Sequence, residues 1–411
     1  MKEIIKNIYK YVDNRFYFKL LYLFVTLVYV TILKYVPVML LLKNIVFAWG
    51  IILILLMIIE DYKRRKIYKF DIPLALFIIL TLIFNVFVYE NKQNITVWIV
   101  NLIIFTIIFT VDVFRNKKQM IKEVNIITYF YSIFMFIASG ISLTMGIFNI
   151  KISISDVVFE LSGVKGGVFE NKNALSIAAA LAIVMCIYLN SITQSYRIRF
   201  FLFANIILQG AIMMVGAHGR SADLVLIAVV YMFIFVYNNN KYIRIMLLLI
   251  PILGCIGIWQ VNKDNIRIYT SGRNNLWESA AVVIGQSPLN GVGYTDMVEA
   301  VKKARPVSDL PGLATGRLHN IYFEIATVNG VISLLLFLSF LGIILMFIVG
   351  LLDKLQRKDK IQMTTLTSLT VGILAVNLFE STIVYMVSFI SLIFWIYLGY
   401  LVSILDNKNI D

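Results

Sequence analysis

Apolar runs of roughly 18 or more residues recur from one end of this 411-residue chain to the other, and each is long enough to cross a bilayer as a helix. No other feature restricts the fold as strongly. A segment in hydrocarbon must satisfy its backbone hydrogen bonds internally, which leaves helices or closed barrels, and runs of this length are helical. Only 15% of the residues are charged, against roughly a quarter in an ordinary soluble domain. The chain therefore reads as an all-α polytopic membrane protein, a single integral domain over residues 1–411.

About twelve spans are expected. They lie at 18–33, 38–59, 71–89, 96–113, 123–147, 174–190, 198–216, 221–237, 242–259, 320–349, 361–379 and 383–406. No internal repeat is visible. The first residues, Met1 to Lys19, are basic and polar. No small-residue cleavage motif follows the first apolar run, so that run reads as a retained helix. With the N-terminus in the cytoplasm, 23 of the 37 Lys and Arg residues fall on the inner side. Of the other 14, seven lie in the long 260–318 loop between the ninth and tenth spans. Positive residues favour the cytoplasmic side of short loops, so both termini are expected inside and the long loop outside.

The same composition excludes several functions. The net charge of +14 is dispersed over short loops, with no basic aromatic groove for nucleic acid. Cys186 and Cys255 both fall within expected spans and build neither a disulfide framework nor a metal site. The two histidines lack zinc spacing, an Asp-x-Asp pair is absent, and so is a Gly-x-Ser-x-Gly elbow. Polar residues within spans are few: Asn101, Asp112, Asn205, Gln209 and Asn377. They form no chain of carboxylates such as a proton-coupled pump needs. Pro251 is expected to kink the ninth span.

Chemistry is thus to be sought between Ala217 and Glu324, the region that holds both histidines and the longest polar stretch. Arg220 follows Gly219 at the mouth of the eighth span, with Ser221 as a plausible N-cap and Asp223 in the first turn. An Arg at a span end is ordinarily an interfacial anchor. Here Gly219 also allows an anion close to a helix N-terminus, with Arg220 as a fork for phosphate oxygens. Within the loop, Trp277, Ala280, Ala281 and Ile284 recur at helical spacing and suggest a short amphipathic helix on the membrane surface, capped by Ser271 or Asn274. Arg273 would stand at its positive end. The bland alternative is a solvated loop with Trp277 as an interface anchor. His319 precedes the tenth span, whose first turn holds Asn320 and Glu324. A lone surface His is usually no catalyst, but its ordinary pKa near 6.5 suits proton transfer at neutral pH. Glu324 could orient Asn320 or His319, or only complement the helix N-terminus.

Taken in order, these residues resemble a known family. Gly167-Val168-Phe169-Glu170-Asn171-Lys172-Asn173-Ala174-Leu175 comes first, then Gly219-Arg220-Ser221-Ala222. Arg273, Trp277, Ser287-Pro288-Leu289-Asn290-Gly291-Val292-Gly293, His319-Asn320-Ile321-Tyr322-Phe323-Glu324 and Gly330 follow. Over residues 160–350 the series is similar to the bacterial O-antigen ligase and polysaccharide polymerase superfamily (the Wzy and WaaL type). The resemblance implies a GT-C-like membrane glycosyltransferase with an inverting, metal-independent reaction and no cofactor. It implies a glycan donor and an acceptor, the donor carried on undecaprenyl diphosphate, at the outer face of a bacterial cell membrane. A chain-length regulator and a flippase are implied as partners. Arg220 and Arg273 would hold the diphosphate, and His319 would deprotonate the acceptor hydroxyl. Trp277, Asn320 and Glu324 would line the substrate site. Many relatives carry Ser or Thr at the position of His218, which leaves His218 as an assistant.

The acceptor decides between activities. A polymerase moves the growing chain to another lipid-linked repeat unit, whereas a ligase moves it to lipid A core or to a protein. Abundant Ile, Lys and Asn suggest an AT-rich genome and a Gram-positive cell without lipid A, which favours the polymerase. A flippase or other transporter is the non-enzymatic alternative. It would be expected to show paired halves or midplane charges, which are not visible.

Overall fold

The computed structural model describes residues 11–61, 66–162, 164–216, 219–261, 266–307 and 309–408. Among the described residues the fold is mostly helical, with one short hairpin. In order the helices are α1 (Arg15–Tyr29), α2 (Pro37–Leu56), α3 (Asp71–Phe87), α4 (Gln93–Ile103) and α5 (Lys117–Ile147). Strands β1 (Ile152–Ile154) and β2 (Val157–Phe159) pair antiparallel. Then come α6 (Lys172–Ile192), α7 (Tyr196–Ala211), α8 (Arg220–Tyr237), α9 (Lys241–Val261), α10 (Ile266–Tyr269), α11 (Arg273–Gln286), α12 (Met297–Ala304), α13 (Ile321–Leu352), α14 (Arg357–Val376) and α15 (Phe389–Leu405).

Local chemistry sets many of the starts. Asn14, Asn116, Asn171, Asn320 and Ser388 each accept a backbone N–H of the first turn, and Pro37 opens α2, where its missing N–H is no loss. Among the described residues, six helices are long and apolar enough to cross a membrane, and three shorter apolar ones accompany them. The protein is a multi-pass membrane protein. A helix occupies each of the twelve expected span segments. Some limits shift: the fourth segment stops being helical after Ile108, the fifth is already helical from Lys117, and the last becomes helical only at Phe389.

The 260–318 segment departs from the expected long loop. It contains α11 and α12 and folds back onto α13 and the turn after α14. The buried face of α11 is Leu276, Trp277, Ala280 and Val283, while Ala281 is exposed. Its N-cap is Gly272, with no side-chain bond from Ser271 or Asn274. Trp277 therefore points into the protein and is no membrane anchor. Its Nε1 donates to Leu318 O (2.9 Å), and its ring stacks on Phe323 and meets Phe379. An indole with its N–H satisfied can be buried at little polar cost.

Helix α13 is broken at Gly330, whose φ is 80° and ψ 170°. Unbroken, Val331 N would bond Thr327 O; instead it donates to Pro288 O (2.8 Å). The released carbonyls are taken up by the 287–293 turn. Val292 N donates to Thr327 O and Gly293 N to Val328 O, both at 3.0 Å. Tyr89 Oη adds a bond to Val328 O (2.7 Å). A Cβ at Gly291 would collide with the Thr327 and Val328 carbonyls, and one at Gly330 with Leu289 O. The Pro-Leu-Asn-Gly-Val-Gly motif and Gly330 are thus two halves of one joint.

A few contacts fix which helix ends share a side. Gln362, early in α14, donates to Ser191 O, late in α6 (3.5 Å). Gly219 N, just before α8, donates to Ser176 Oγ, early in α6 (3.2 Å). Helix α14 is therefore antiparallel to both α6 and α8, and Gly372 packs directly on Val225. Ile321 N donates to Asn377 O (3.0 Å), bringing the start of α13 to the end of α14. The N-termini of α6, α8, α11 and α13 thus lie at the same end of the molecule as the turn that follows α14, and those of α11 and α13 bond to it.

Candidate active site

At this end, one carboxylate joins two of the expected site residues. His319 Nδ1 lies 3.1 Å from Glu380 Oε2, and Arg273 Nη2 lies 3.4 Å from Glu380 Oε1. Arg273 also donates to Phe379 O. All three side chains are largely buried, with 13–17% of each exposed. Glu380 sits in the turn after α14, and the sequence reading missed it. Its one signal is that no other acid occurs between Asp359 and Asp406.

The contact fixes the imidazole. A carboxylate only accepts, so Nδ1 carries the hydrogen and Nε2 keeps its lone pair. Nε2 faces Thr315 Oγ1 at 3.5 Å, but that hydroxyl donates to Gly312 O at 2.7 Å. Its hydrogen is committed, and no other donor to the Nε2 lone pair occurs among the described residues. Gly312, at φ 87°, allows the ring this position, because a Cβ there would strike Nε2 and Cδ2. His319 itself is held at φ 50°, a left-handed conformation unusual for a non-glycine residue.

The expected neighbours of His319 turn out to support it. Asn320 caps α13 through Tyr322 N and Phe323 N, and its Nδ2 donates to Leu378 O (3.0 Å). Glu324 is fully buried, and neither of its oxygens reaches His319 in a hydrogen bond. It accepts from Leu318 N (3.0 Å) and Arg317 Nη1 (3.1 Å), holding the segment that leads into His319. Arg317 also donates to Ser381 O and lies over the Tyr294 ring. Burial pushes the Tyr294 hydroxyl above its ordinary range, against the pull of Arg317, so the ring is a neutral face beneath the guanidinium.

Arg220 is the first residue of α8 and is exposed, at the same end of the molecule as His319. Gly219 packs against Asn173 and Ser176 of α6, where a side chain would be crowded. The converging N-termini add their positive dipole ends to Arg220 and Arg273, and such a place favours an anion. His218 lies outside the described residues. No group of three His, Cys, Asp or Glu side chains suited to a metal ion occurs among the described residues.

No curated protein matches the chain. Residues 173–338 match the profile of a family described as O-antigen ligase. The matched stretch begins at the α6 N-terminus and takes in Arg220, Arg273, His319 and the Gly330 joint; Glu380 lies beyond it. Over this segment, which is less than half of the chain, the protein is similar to the O-antigen ligase family.

Proposed function

We propose that the protein is a polysaccharide polymerase of a bacterial cell membrane. It would join oligosaccharide units carried on undecaprenyl diphosphate by inverting glycosyl transfer at the outer face. The observation that carries this reading is the Glu380–His319 pair, with no donor committed to Nε2 among the described residues. An acceptor hydroxyl donates its proton to Nε2 as its oxygen attacks the anomeric carbon. The bond between that carbon and the diphosphate oxygen breaks, and the lipid diphosphate leaves with the electron pair. Glu380 holds the ring and stabilises the imidazolium that forms. Arg273 and Arg220, with the helix N-termini, stabilise the charge that develops on the leaving diphosphate. Trp277, Asn320 and Glu324 keep the base and Arg273 in register from beneath.

Transfer to a different acceptor, which is ligation, uses the same groups. The Ile-, Lys- and Asn-rich composition favours the polymerase, since it suggests a cell without lipid A core. The test is a deletion strain complemented with wild type or His319→Ala, its glycans analysed by size and by carrier. Single units accumulating on the lipid carrier in the His319→Ala strain are expected. Polymer stuck on the carrier would mean ligase, and polymer of normal length would remove His319 from the chemistry.

A further inference from the structure

A polar cavity of about 340 Å³ lies at the end of the molecule away from His319, among Arg15, Lys19, Asp112, Arg115, Glu123 and Tyr400. Its position follows from α1. Thr31, just past the end of α1, pairs with Phe169 beside the α6 N-terminus, on the His319 side. Lys19 comes twelve residues earlier, about 18 Å back along the helix direction. On the expected topology this end is cytoplasmic.

Lys19 is the unusual member. It is only 4% exposed, and its ammonium rests 4.9 Å from the centre of the Tyr400 ring. Glu123, on the same cavity wall, is fully engaged elsewhere. Its Oε1 accepts from Arg115 (2.5 Å) and Gln119 (3.3 Å), and its Oε2 from Tyr400 Oη (2.6 Å). Asp112 accepts from Phe114 N (3.2 Å). Lys19 thus faces the cavity with an aromatic face for company; among the described residues no carboxylate hydrogen-bonds to it, although the charges of Glu123 and Asp112 reach it. A buried ammonium with no anion in hydrogen-bonding contact is costly, and nothing in the glycosyl transfer uses it.

We propose that this cavity binds a phosphate group, held by Lys19 with Arg15 and Arg115. Cations reaching one space from α1 and from the segment before α5 suit tetrahedral oxygens better than a flat carboxylate. Asp13 and Asp112, on the same wall, oppose a highly charged polyanion and favour a phosphodiester or a single phosphate. The phosphate belongs to a membrane phospholipid headgroup or to a soluble compound, and two probes separate these sources. The proposal does not depend on the glycosyl-transfer reading.

The test uses the full-length protein in detergent. Native mass spectrometry with dimyristoyl phosphatidylglycerol, and thermal unfolding with inorganic phosphate, are run on wild type, Lys19→Met, Arg15→Gln and Lys19→Arg. We expect binding weaker by about tenfold in Lys19→Met and Arg15→Gln, and retained in Lys19→Arg. A lipid adduct with this pattern assigns a headgroup site; phosphate protection with this pattern and no adduct assigns a soluble ligand. Binding of both probes that is absent, or equal in wild type and all three variants, overturns the proposal. Should Lys19→Met not elute as a folded species, Arg15→Gln against Lys19→Arg carries the same comparison.

Discussion

The Glu380 carboxylate touches His319 with one oxygen and Arg273 with the other. Glu380→Gln keeps the size of the side chain and removes its charge, so the imidazolium formed during transfer loses its partner. A positioned base contributes about 10²–10⁴-fold, and the variant should lose a large part of that while remaining in the membrane at wild-type amounts. The check is the polymerisation rate of purified protein across pH. A merely structural Glu380 would lower the rate equally at every pH, whereas a His319 partner also shifts the profile. Sequence could nominate His319 and Arg273 because each stands beside recognisable neighbours in the chain. It could not nominate Glu380, 61 residues after His319, because nothing local distinguishes a carboxylate on an outer turn from a solvated one. Local reasoning also put Glu324 near His319. In the fold, its helix carries it inward to Leu318 N and Arg317.

Among the elements, α13 shows what the Gly-rich motif does. Its first nine residues, 321–329, form a separate helical piece carrying the Asn320 cap and the residues that follow His319. The 287–293 turn is stitched into the break by backbone hydrogen bonds. Gly330→Ala and Gly291→Ala should each destabilise the protein, by about 1–3 kcal/mol from the positive φ alone, and further because a Cβ meets backbone oxygen. Thermal unfolding in detergent reads this out as a lower midpoint. An unchanged midpoint in both variants would mean that the joint is not held as described. The sequence marked 287–293 as a turn through its Pro and Gly residues. It gave no sign that the turn replaces helical bonds in a segment more than 30 residues later, because that pairing is between backbone groups and leaves no side-chain pattern.

At the scale of the whole molecule, the reading predicts one face for the site and the other for the Lys19 cavity. In a background with Cys186→Ala and Cys255→Ala, Thr315→Cys should react with a membrane-impermeant maleimide in intact cells, and Lys358→Cys only after lysis. The reverse labelling would invert the topology and move the chemistry to the cytoplasm. Apolar runs by themselves determined that this is a helical membrane protein and roughly where its helices lie, because each helix satisfies its own backbone in lipid and needs no distant partner. The order of motifs likewise pointed to the family whose profile residues 173–338 match, since it is a property of the chain. Only the tertiary structure decided that the N-termini of α11 and α13 meet the turn after α14, that Trp277 faces inward, and that Glu380 joins His319 to Arg273. Those contacts depend on how helices pack and which ends share a side. Packing in lipid rests on close fit and interhelical hydrogen bonds rather than on hydrophobic pattern, so the pattern along the chain does not encode them.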